Sequence, residues 1–139
     1  MSALVAGTAA TWGMIGLIWM VQVVHYPMLG RISAHEPSTA ALDHQRRISW
    51  VVGPLMAVEG VTALILLVSR PDTMGWPAAW AAACLLGVAL LSTVLLQVPL
   101  HGQLAAGHDD KVIRKLISTN WIRTAAWTAR GIILAAVLM

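Results

Sequence analysis

The chain has few charged residues, and this shortage excludes most classes of soluble protein. Only 11% of its 139 residues are Asp, Glu, Lys or Arg, whereas 58% are hydrophobic, and the mean hydropathy is +0.75. Soluble domains carry about 25% charged residues, so this chain has too little polar surface to cover a globule in water. The composition therefore predicts an integral membrane protein.

Cysteine is also scarce, and the short motifs of soluble enzymes are missing. Cys84 is the single cysteine, which excludes an intrachain disulfide and a cysteine-based metal cluster. The sequence contains no phosphate-binding loop and no GxSxG, CxxC or HExxH motif. The pI of 9.8 reflects a net charge of only +3, carried by basic residues that flank apolar runs. That pattern favours membrane topology over nucleic-acid binding.

Four apolar runs are long enough to cross a bilayer as helices. A hydrocarbon core of ~30 Å needs about 20 helical residues, and only helices satisfy their backbone groups in lipid over segments of this length. The first run lacks a basic leader and is too long for a signal peptide, so we expect a permanent span. We predict an all-α integral membrane four-helix bundle, one domain over residues 1–139, with spans at about 3–27, 48–69, 76–100 and 115–138.

The distribution of basic residues predicts the orientation. Two of the three connections carry most of them: Arg31, Arg46, Arg47, Lys111, Arg114 and Lys115. The remaining connection has only Arg70, offset by Asp72. Because Lys and Arg concentrate in cytoplasmic loops, we expect loops 28–47 and 101–115 in the cytoplasm. Both termini would then lie outside or in the periplasm, most simply across a bacterial inner membrane.

The two halves of the chain resemble each other. Segment 22–27 matches 97–101 at the ends of spans one and three, and segment 48–50 matches 117–121 at the starts of spans two and four. Glu59 and Arg130 each follow a tryptophan of these segments by nine residues, and each precedes a glycine. The pattern predicts two tandem helical hairpins, a parallel pseudo-repeat about an axis along the membrane normal.

Glu59 and Arg130 interrupt the middle of spans two and four. An unpaired ion in lipid costs several kcal/mol, so intramembrane charges are rare and usually functional, with a partner nearby. Nine helical residues rise roughly 13–14 Å, about half of the hydrocarbon core. If the two spans run the same way, both charges reach similar depth and can pair. Such a pair could be a catalytic or transport site, or a structural device that fixes helix register.

Span four carries a polar stripe. Asn120, Arg123, Trp127 and Arg130 have offsets of 0, 3, 7 and 10, which puts them on one helix face. The stripe is expected to run from the cytoplasmic rim to mid-membrane, with Glu59 opposite its deep end. Together with Trp127, three further polar residues are expected to line the cavity beside the stripe: Gln22, Tyr26 and Gln97.

All five histidines lie in or beside the two basic loops. His25 and His101 end spans one and three, so they are expected to face one another. In that position either is a candidate general base, and the two together are candidate axial ligands of haem b. With His44 they are candidate ligands of iron or copper. A site without any cofactor is equally open.

Two short motifs carry a family resemblance. Span one ends in His25-Tyr26-Pro27, and span four opens with Asn-Trp-x-Arg-Thr-x-x-Trp over residues 120–127. In a small four-span chain, these resemble the anthrone-oxygenase-like family of membrane proteins. The resemblance implies oxidation of polycyclic phenolic substrates, in some members without an identified cofactor. It also implies that His25, Asn120 and Arg123 touch the substrate, whereas Glu59 and Arg130 have no counterpart in that pattern.

Three functions follow as hypotheses. The first is a membrane-embedded oxidoreductase or oxygenase acting on a lipophilic aromatic or quinone-like molecule, with His25, Glu59, Asn120, Arg123 and Arg130 as catalytic candidates. In it, a histidine acts as base and the arginines stabilise a developing phenolate or enolate. The second is a small oligomeric transporter or channel that uses Glu59 and Arg130. The third is an accessory subunit of a larger membrane complex. Expected partners are membrane lipid, a lipophilic small molecule, and a second copy or a complex, but no nucleic acid.

Overall fold

Four helices make up the part of the chain that the structure, a computed structural model, describes. That part comprises residues 1–28, 39–107 and 109–139, without the side chains of 39–41 and 44. The helices are α1 (Ser2–Met28), α2 (Thr39–Val68), α3 (Trp76–Ala106) and α4 (Asp110–Leu138). All four are long and apolar enough to cross a membrane, and the described residues contain no strand. The predicted all-α four-helix membrane bundle is confirmed.

The helix ends follow local signals in the sequence. Asp109 caps α4, because its side chain accepts from the backbone N–H of Lys111 at 2.7 Å. Pro77 lies in the first turn of α3, where a missing backbone N–H does no harm. α2 begins at Thr39, well before the predicted start of its span at residue 48, and an exposed i,i+4 ion pair between Asp43 and Arg47 at 2.7 Å lies in its first turns.

Sequential helices run antiparallel around a ring. α1 packs against α2 and α4, and α3 packs against the same two helices, so α1 lies diagonally from α3 and α2 from α4. The basic end of the bundle, as we name it, carries Arg46, Arg47, Lys111, Arg114 and Lys115. The terminal end carries residues 1 and 139 and the turn between α2 and α3. Diagonal helices point the same way, which is the geometry of two hairpins in parallel.

The core forms three layers along the bundle axis. The layer at the terminal end contains Leu4, Leu66, Met74, Ala79, Ala82 and Leu134. The middle layer contains Met14, Ile15, Ile18, Ala89, Ala126 and Trp127. The layer at the basic end contains Val21, Tyr26, Leu100, Leu104, Ile113 and Leu116. Polar clusters lie between these apolar layers, so the buried polar groups are enclosed on both sides.

The two diagonal helices α1 and α3 each contain one π-helical turn, at Val21–His25 and Thr93–Gln97. The backbone N–H of the following residue bonds five residues back, Tyr26 to Val21 and Val98 to Thr93. A proline comes next in both helices, Pro27 and Pro99. A proline ring collides with the carbonyl four residues earlier, and one widened turn relieves that collision. The repeated proline-linked turn is a structural counterpart of the sequence pseudo-repeat.

The outward faces of the bundle are apolar. Large hydrophobic side chains are exposed on α2, including Val61, Leu64 and Val68, the last at 88%. Water would not tolerate so continuous an apolar surface, whereas lipid tails solvate it without cost. The chain is an integral membrane protein, and its polar side chains within the spans turn inward.

Candidate functional site

The two intramembrane charges meet at the centre of the bundle. Arg130 Nε lies 3.5 Å from Glu59 Oε1, and the two side chains are 1% and 0% exposed. The pair connects the diagonal helices α2 and α4, which run the same way, as the spacing from the tryptophans predicted. The predicted pairing of Glu59 with Arg130 is confirmed. Because both ions are out of solvent, removal of one would leave the other buried and uncompensated.

Both charges have further hydrogen-bond partners on α1 and α3. Thr11 Oγ1 donates to Glu59 Oε1 at 2.6 Å and accepts from Arg130 Nε at 3.2 Å. Arg130 Nη1 donates to the backbone carbonyl of Ala82 at 2.6 Å. The second terminal nitrogen of Arg130 is buried without an acceptor among the described residues. We name Thr11, Glu59, Trp127 and Arg130 the deep cluster, and with Ala82 it draws on all four helices.

Glycine beside each charge plays a different part in the packing. A Cβ added to Gly131 would collide with Ile15 and would also touch Thr11 and Trp12 of α1. No atom lies within 4 Å of a Cβ added to Gly60. Gly131 therefore lets α4 approach α1 closely enough for Thr11 to reach the ion pair. The matching Gly60 has no such role.

Trp127 lies between the ion pair and Arg123. Its indole is 0% exposed, and Nε1–H donates to Glu59 Oε2 at 3.0 Å. The guanidinium carbon of Arg123 lies 5.5 Å from the centre of the Trp127 ring, within the range of a cation–π contact. One aromatic side chain thus touches Glu59 with its edge and Arg123 with its face.

Arg123 is a buried cation without a counter-ion among the described residues. Its side chain is 8% exposed, its Nε has no acceptor there, and its described neighbours are the Trp127 ring and, through an electrostatic interaction, Tyr26. A desolvated guanidinium without hydrogen-bond acceptors is costly, so buried arginines are normally paired. The buried Nε of Arg123, which has no acceptor among the described residues, is the clearest sign of a binding site in this bundle.

Arg123 borders a cavity of about 110 Å³ near the basic end, which we name the Arg123 cavity. Its wall includes residues from all four helices: Val21, Tyr26, Gln45, Ile48, Ser49, Val52, Thr93, Gln97, Val98, His101 and Arg123. Most of these belong to α2 and α3, so the cavity lies between those two helices. Tyr26 and Gln97 line it as predicted, while Trp127 lies behind Arg123 and does not.

Tyr26 links two polar residues of α3 across the cavity wall. Its hydroxyl lies 3.1 Å from Gln97 Oε1 and 3.2 Å from His101 Nε2, and Gln97 Nε2 donates to Thr119 Oγ1 at 3.0 Å. A phenol has a single proton, so Tyr26 can donate to Gln97 while it accepts from a protonated Nε2, or donate to an unprotonated Nε2. The hydroxyl proton can therefore turn from Gln97 to His101 when Nε2 loses its proton, so Tyr26 keeps a hydrogen bond to His101 in both protonation states while Gln97 keeps its bond to Thr119.

Gln22 and Asn120 form a separate buried link between α1 and α4. Asn120 Nδ2 donates to Gln22 Oε1 at 2.6 Å, and Gln22 Nε2 donates to the carbonyl of Ile117 at 3.2 Å. Neither residue lines the Arg123 cavity. Their predicted contact with substrate therefore finds no support in this geometry, and their evident work is to join the two helices. Asn120 Oδ1 has no donor among the described residues.

The predicted pairing of His25 with His101 is not seen. His25 lines a groove between α1 and α2 with Leu17, Met20, Val21, Arg47, Ile48 and Val51, whereas His101 lines the Arg123 cavity. The Tyr26 ring neighbours both imidazoles, at 6.4 Å and 5.8 Å between ring centres. The two histidines thus line different cavities on either side of one tyrosine, and their role as ligands of haem b stays a prediction.

The structure describes only part of the predicted metal site. The described residues contain no group of three His, Cys, Asp or Glu side chains close enough to hold a metal ion. The side chain of His44 lies outside the described part of the chain, as do His35 and His108. The trio of His25, His44 and His101 therefore stays a prediction.

Comparison with known proteins does not identify a function for this chain, so a function has to be inferred from the site. No family model, no curated protein and no solved structure matches the chain. The resemblance to the anthrone-oxygenase-like family therefore stays a prediction as well.

Three participants were not foreseen from the sequence. Thr11 of the deep cluster lies in a charge-free span, and the Ala82 carbonyl is a backbone group, so neither has a sequence signature. Thr119, the partner of Gln97, directly precedes the polar stripe of α4 and could have been found by extending it by one residue.

The arrangement offers a fixed positive charge, a hydroxyl and an imidazole on one small cavity. A guanidinium stabilises an oxyanion that lies against it, and a histidine in hydrogen-bond reach can accept the proton. The opposite apolar walls, Val21, Ile48 and Val52, suit an aromatic or aliphatic carbon skeleton. Chemically, the cavity is suited to a lipophilic molecule that has one acidic or enolisable oxygen group.

Proposed function

We propose that the protein is a membrane-embedded oxidoreductase of oxygenase type that acts on a lipophilic phenolic or quinone-like molecule held in the Arg123 cavity. The observation that carries this proposal is the buried guanidinium of Arg123, which lacks an acceptor among the described residues and borders a cavity. A phenolate or enolate oxygen would supply the missing acceptors. The family resemblance of residues 25–27 and 120–127 points the same way.

In this proposal, Arg123 binds the oxygen of the substrate and His101 accepts its proton. His101 takes the role that the sequence suggested equally for His25, because His101 lines the cavity. Tyr26 keeps a hydrogen bond to His101 before and after the proton transfer, because its O–H turns to Gln97 Oε1 once Nε2 is protonated, over O···O and O···N distances of 3.1 and 3.2 Å. Proton removal from a phenol or its keto tautomer leaves an electron-rich carbanion or enolate, the form that dioxygen oxidises.

The overall reaction would convert a ring methylene and dioxygen into a ring carbonyl and water. The substrate carbon loses two hydrogens and gains one oxygen atom, and the second oxygen atom leaves as water with those hydrogens. Residues of this chain supply binding, charge stabilisation and proton transfer. A transition metal could supply electron transfer to dioxygen, and its candidate ligands among the three predicted histidines stay a prediction.

The size of the cavity limits how a substrate would bind. A volume of about 110 Å³ is smaller than the closed cavity of ~150 Å³ that accommodates benzene, so the cavity encloses the oxygen group and at most part of one ring. The polar end of a polycyclic molecule would therefore enter, and its other rings would extend between α2 and α3 toward lipid. Arg123 lies seven residues from Arg130 toward the basic end, a rise of about 10 Å. An amphipathic molecule dissolved in one leaflet would have its polar end near this depth.

The same proposal includes an orientation. The basic end would face the cytoplasm of a bacterial inner membrane, with both termini on the other side, because Lys and Arg concentrate there. A substrate would then enter from the cytoplasmic leaflet. Labelling of cysteines introduced at residue 2 and at residue 46 with a membrane-impermeant reagent in intact cells tests this, and labelling at residue 46 but not at residue 2 would contradict it.

Oxidation of anthrone by the protein in lipid nanodiscs tests the reaction. We expect oxygen uptake equal to the anthraquinone formed, and a rate far above that of protein-free nanodiscs. Arg123→Gln should lower the rate about 100-fold, as loss of one oxyanion donor does in other enzymes. Arg46→Gln, an exposed arginine of the same end, is the matched control and should keep the full rate. A wild-type rate no higher than that of empty nanodiscs would refute the proposal.

The transporter and subunit hypotheses have less support from the geometry. Neither Glu59 nor Arg130 lines the Arg123 cavity, and both are enclosed by hydrogen bonds to Thr11, Trp127 and Ala82. A transport site needs access from both sides, which this enclosure does not offer, so the transporter stays a prediction. The accessory subunit and the predicted homo-oligomer or larger complex also stay predictions, because the structure is that of a single chain.

A further inference from the structure

The Trp127 indole is hydrogen-bonded at one edge and contacts Arg123 with its face. Its Nε1–H donates to Glu59 Oε2 at 3.0 Å, and the centre of its ring lies 5.5 Å from the guanidinium carbon of Arg123. The residue is fully buried. The hydrogen bond to Glu59 therefore fixes the orientation of the indole, and the indole face in turn contacts Arg123 beside the cavity.

Arg123 depends on that ring for its position. Arginine has several rotatable bonds, and the buried Nε of Arg123 has no hydrogen bond among the described residues that would select a rotamer. The aromatic face of Trp127 is the ring contact of its guanidinium, and Tyr26 is a second, electrostatic neighbour among the described residues. A planar guanidinium keeps its orientation over such a face while its N–H edges stay available to a ligand. Movement of the indole would consequently move the guanidinium.

The acceptor of the indole is itself fixed by three other helices. Glu59 Oε1 accepts from Thr11 and lies 3.5 Å from Arg130 Nε, and Arg130 is anchored to the Ala82 carbonyl on α3. A carboxylate bound in this way cannot rotate away from Trp127. A chain of contacts thus runs from α3 and α1 through the ion pair and the indole to Arg123.

We propose that Glu59, held by Arg130, is a positioning residue that acts through Trp127 to hold the Arg123 guanidinium toward the cavity. The inference rests on the proposed role of Arg123 and gives the ion pair a functional part without contact to substrate. It differs from a direct electrostatic role in the sign of its effect. Removing the negative charge of Glu59 alone would strengthen anion binding by Coulomb's law, whereas loss of position weakens it.

Binding of 2-naphthoate to the protein in nanodiscs, measured by titration calorimetry, tests this inference. The double variant E59M/R130M removes the acceptor of Trp127, leaves the buried net charge unchanged and replaces the ion pair by apolar side chains of similar length. We expect about tenfold weaker binding, close to the energy of one buried cation–π contact. Trp127→Phe, which keeps an aromatic face but lacks the N–H, should show a similar loss.

The combination of the two changes separates this mechanism from general damage. If Glu59 acts through Trp127, the triple variant E59M/R130M/W127F should bind no more weakly than W127F alone. Both sets of changes remove the same hydrogen bond between Trp127 and Glu59. Losses that multiply would contradict the inference, as would wild-type affinity in E59M/R130M. If E59M/R130M does not fold, W127F still decides: unchanged affinity in that variant overturns the inference.

The same titration distinguishes failure of the site from failure of the positioning link. If naphthoate binding to the wild-type protein does not depend on Arg123, tested with Arg123→Gln, the proposed site itself is refuted. If binding depends on Arg123 but not on Glu59 or the Trp127 N–H, the site stands and only the positioning role is overturned.

Discussion

Glu59 and Arg123 lie on opposite sides of one buried indole. Trp127 donates its N–H to the carboxylate at 3.0 Å and presents its ring to the guanidinium at 5.5 Å. The structure thereby joins two features that the sequence showed separately, an intramembrane ion pair and a polar stripe. One arginine of the stripe is neutralised by Glu59, and the other is not matched by any acid in the described residues.

Loss of one partner of the ion pair should destabilise the protein strongly. Glu59→Leu leaves Arg130 buried without its counter-ion, and such changes cost about 3–5 kcal/mol in buried pairs. Thermal unfolding followed by fluorescence-detected size exclusion in detergent should show a large fall in apparent Tm. The matched double variant E59L/R130L should recover much of that loss, because an apolar pair has no desolvation penalty. Equal Tm values for the single variant and the wild type would argue against a desolvated pair.

The two glycines beside the charges should respond differently to the same substitution. Gly131→Val places a branched side chain against Ile15 and Thr11, where even one added carbon collides with the end of the Ile15 side chain, so Ile15 must leave its rotamer or α1 and α4 must separate. Overpacking of this kind costs about 1–3 kcal/mol. Gly60→Val has open space around the new carbon and should change the Tm little. Similar losses in both variants would show that the pseudo-repeat, and not close packing, explains these glycines.

The proline-linked π turn of α3 should be needed for the cavity. Pro99→Ala restores a backbone N–H and lets the helix tighten, which rotates the segment before it relative to the segment after it. Gln97 and His101 would then no longer share Tyr26, and naphthoate affinity should fall while the protein stays folded. Pro77→Ala, in the first turn of the same helix, is the control and should bind normally. Wild-type affinity for naphthoate in Pro99→Ala would show that the cavity does not need the π turn.

Tyr26→Phe should impair turnover more than stability. The variant loses hydrogen bonds to Gln97 and His101 but keeps the buried ring, so about 1 kcal/mol of stability is at stake. Proton transfer at His101 loses its compensating partner, and the rate of anthrone oxidation should fall by at least tenfold. The Tm and the rate of anthrone oxidation should both be measured on the same preparation of Tyr26→Phe and compared with those of the wild type. A rate that falls only in proportion to folded protein would remove Tyr26 from the mechanism.

Much of this fold could be predicted from composition and spacing. Long apolar runs can exist in lipid only as helices, and a count of nine residues from each tryptophan put Glu59 and Arg130 at one depth. Equal depth and opposite charge were sufficient to predict their contact. The four-residue stripe on α4 was also sound, because helical periodicity alone defines a face.

The side of each helix that faces its neighbours could not be read in the same way. His25 and His101 both end spans, yet one widened turn in each helix changes the direction of everything beyond it, and they line different cavities. Gln22 was assigned to the cavity by proximity in sequence, but Asn120 binds it elsewhere. Thr11 had no signal, since a threonine in an apolar helix commonly bonds its own backbone.

The central claim is that Arg123 forms a site for an oxyanion, and matched ligands test it most directly. The affinities of 2-naphthoate and the neutral 2-naphthamide are to be measured in nanodiscs for the wild-type protein and for Arg123→Gln. A charged hydrogen bond is worth about 1.5–3 kcal/mol, so the wild type should prefer the anion by ~10- to 100-fold, and the variant should lose that preference. Equal affinity of the wild type for both ligands, or an anion preference that survives in Arg123→Gln, would contradict the account.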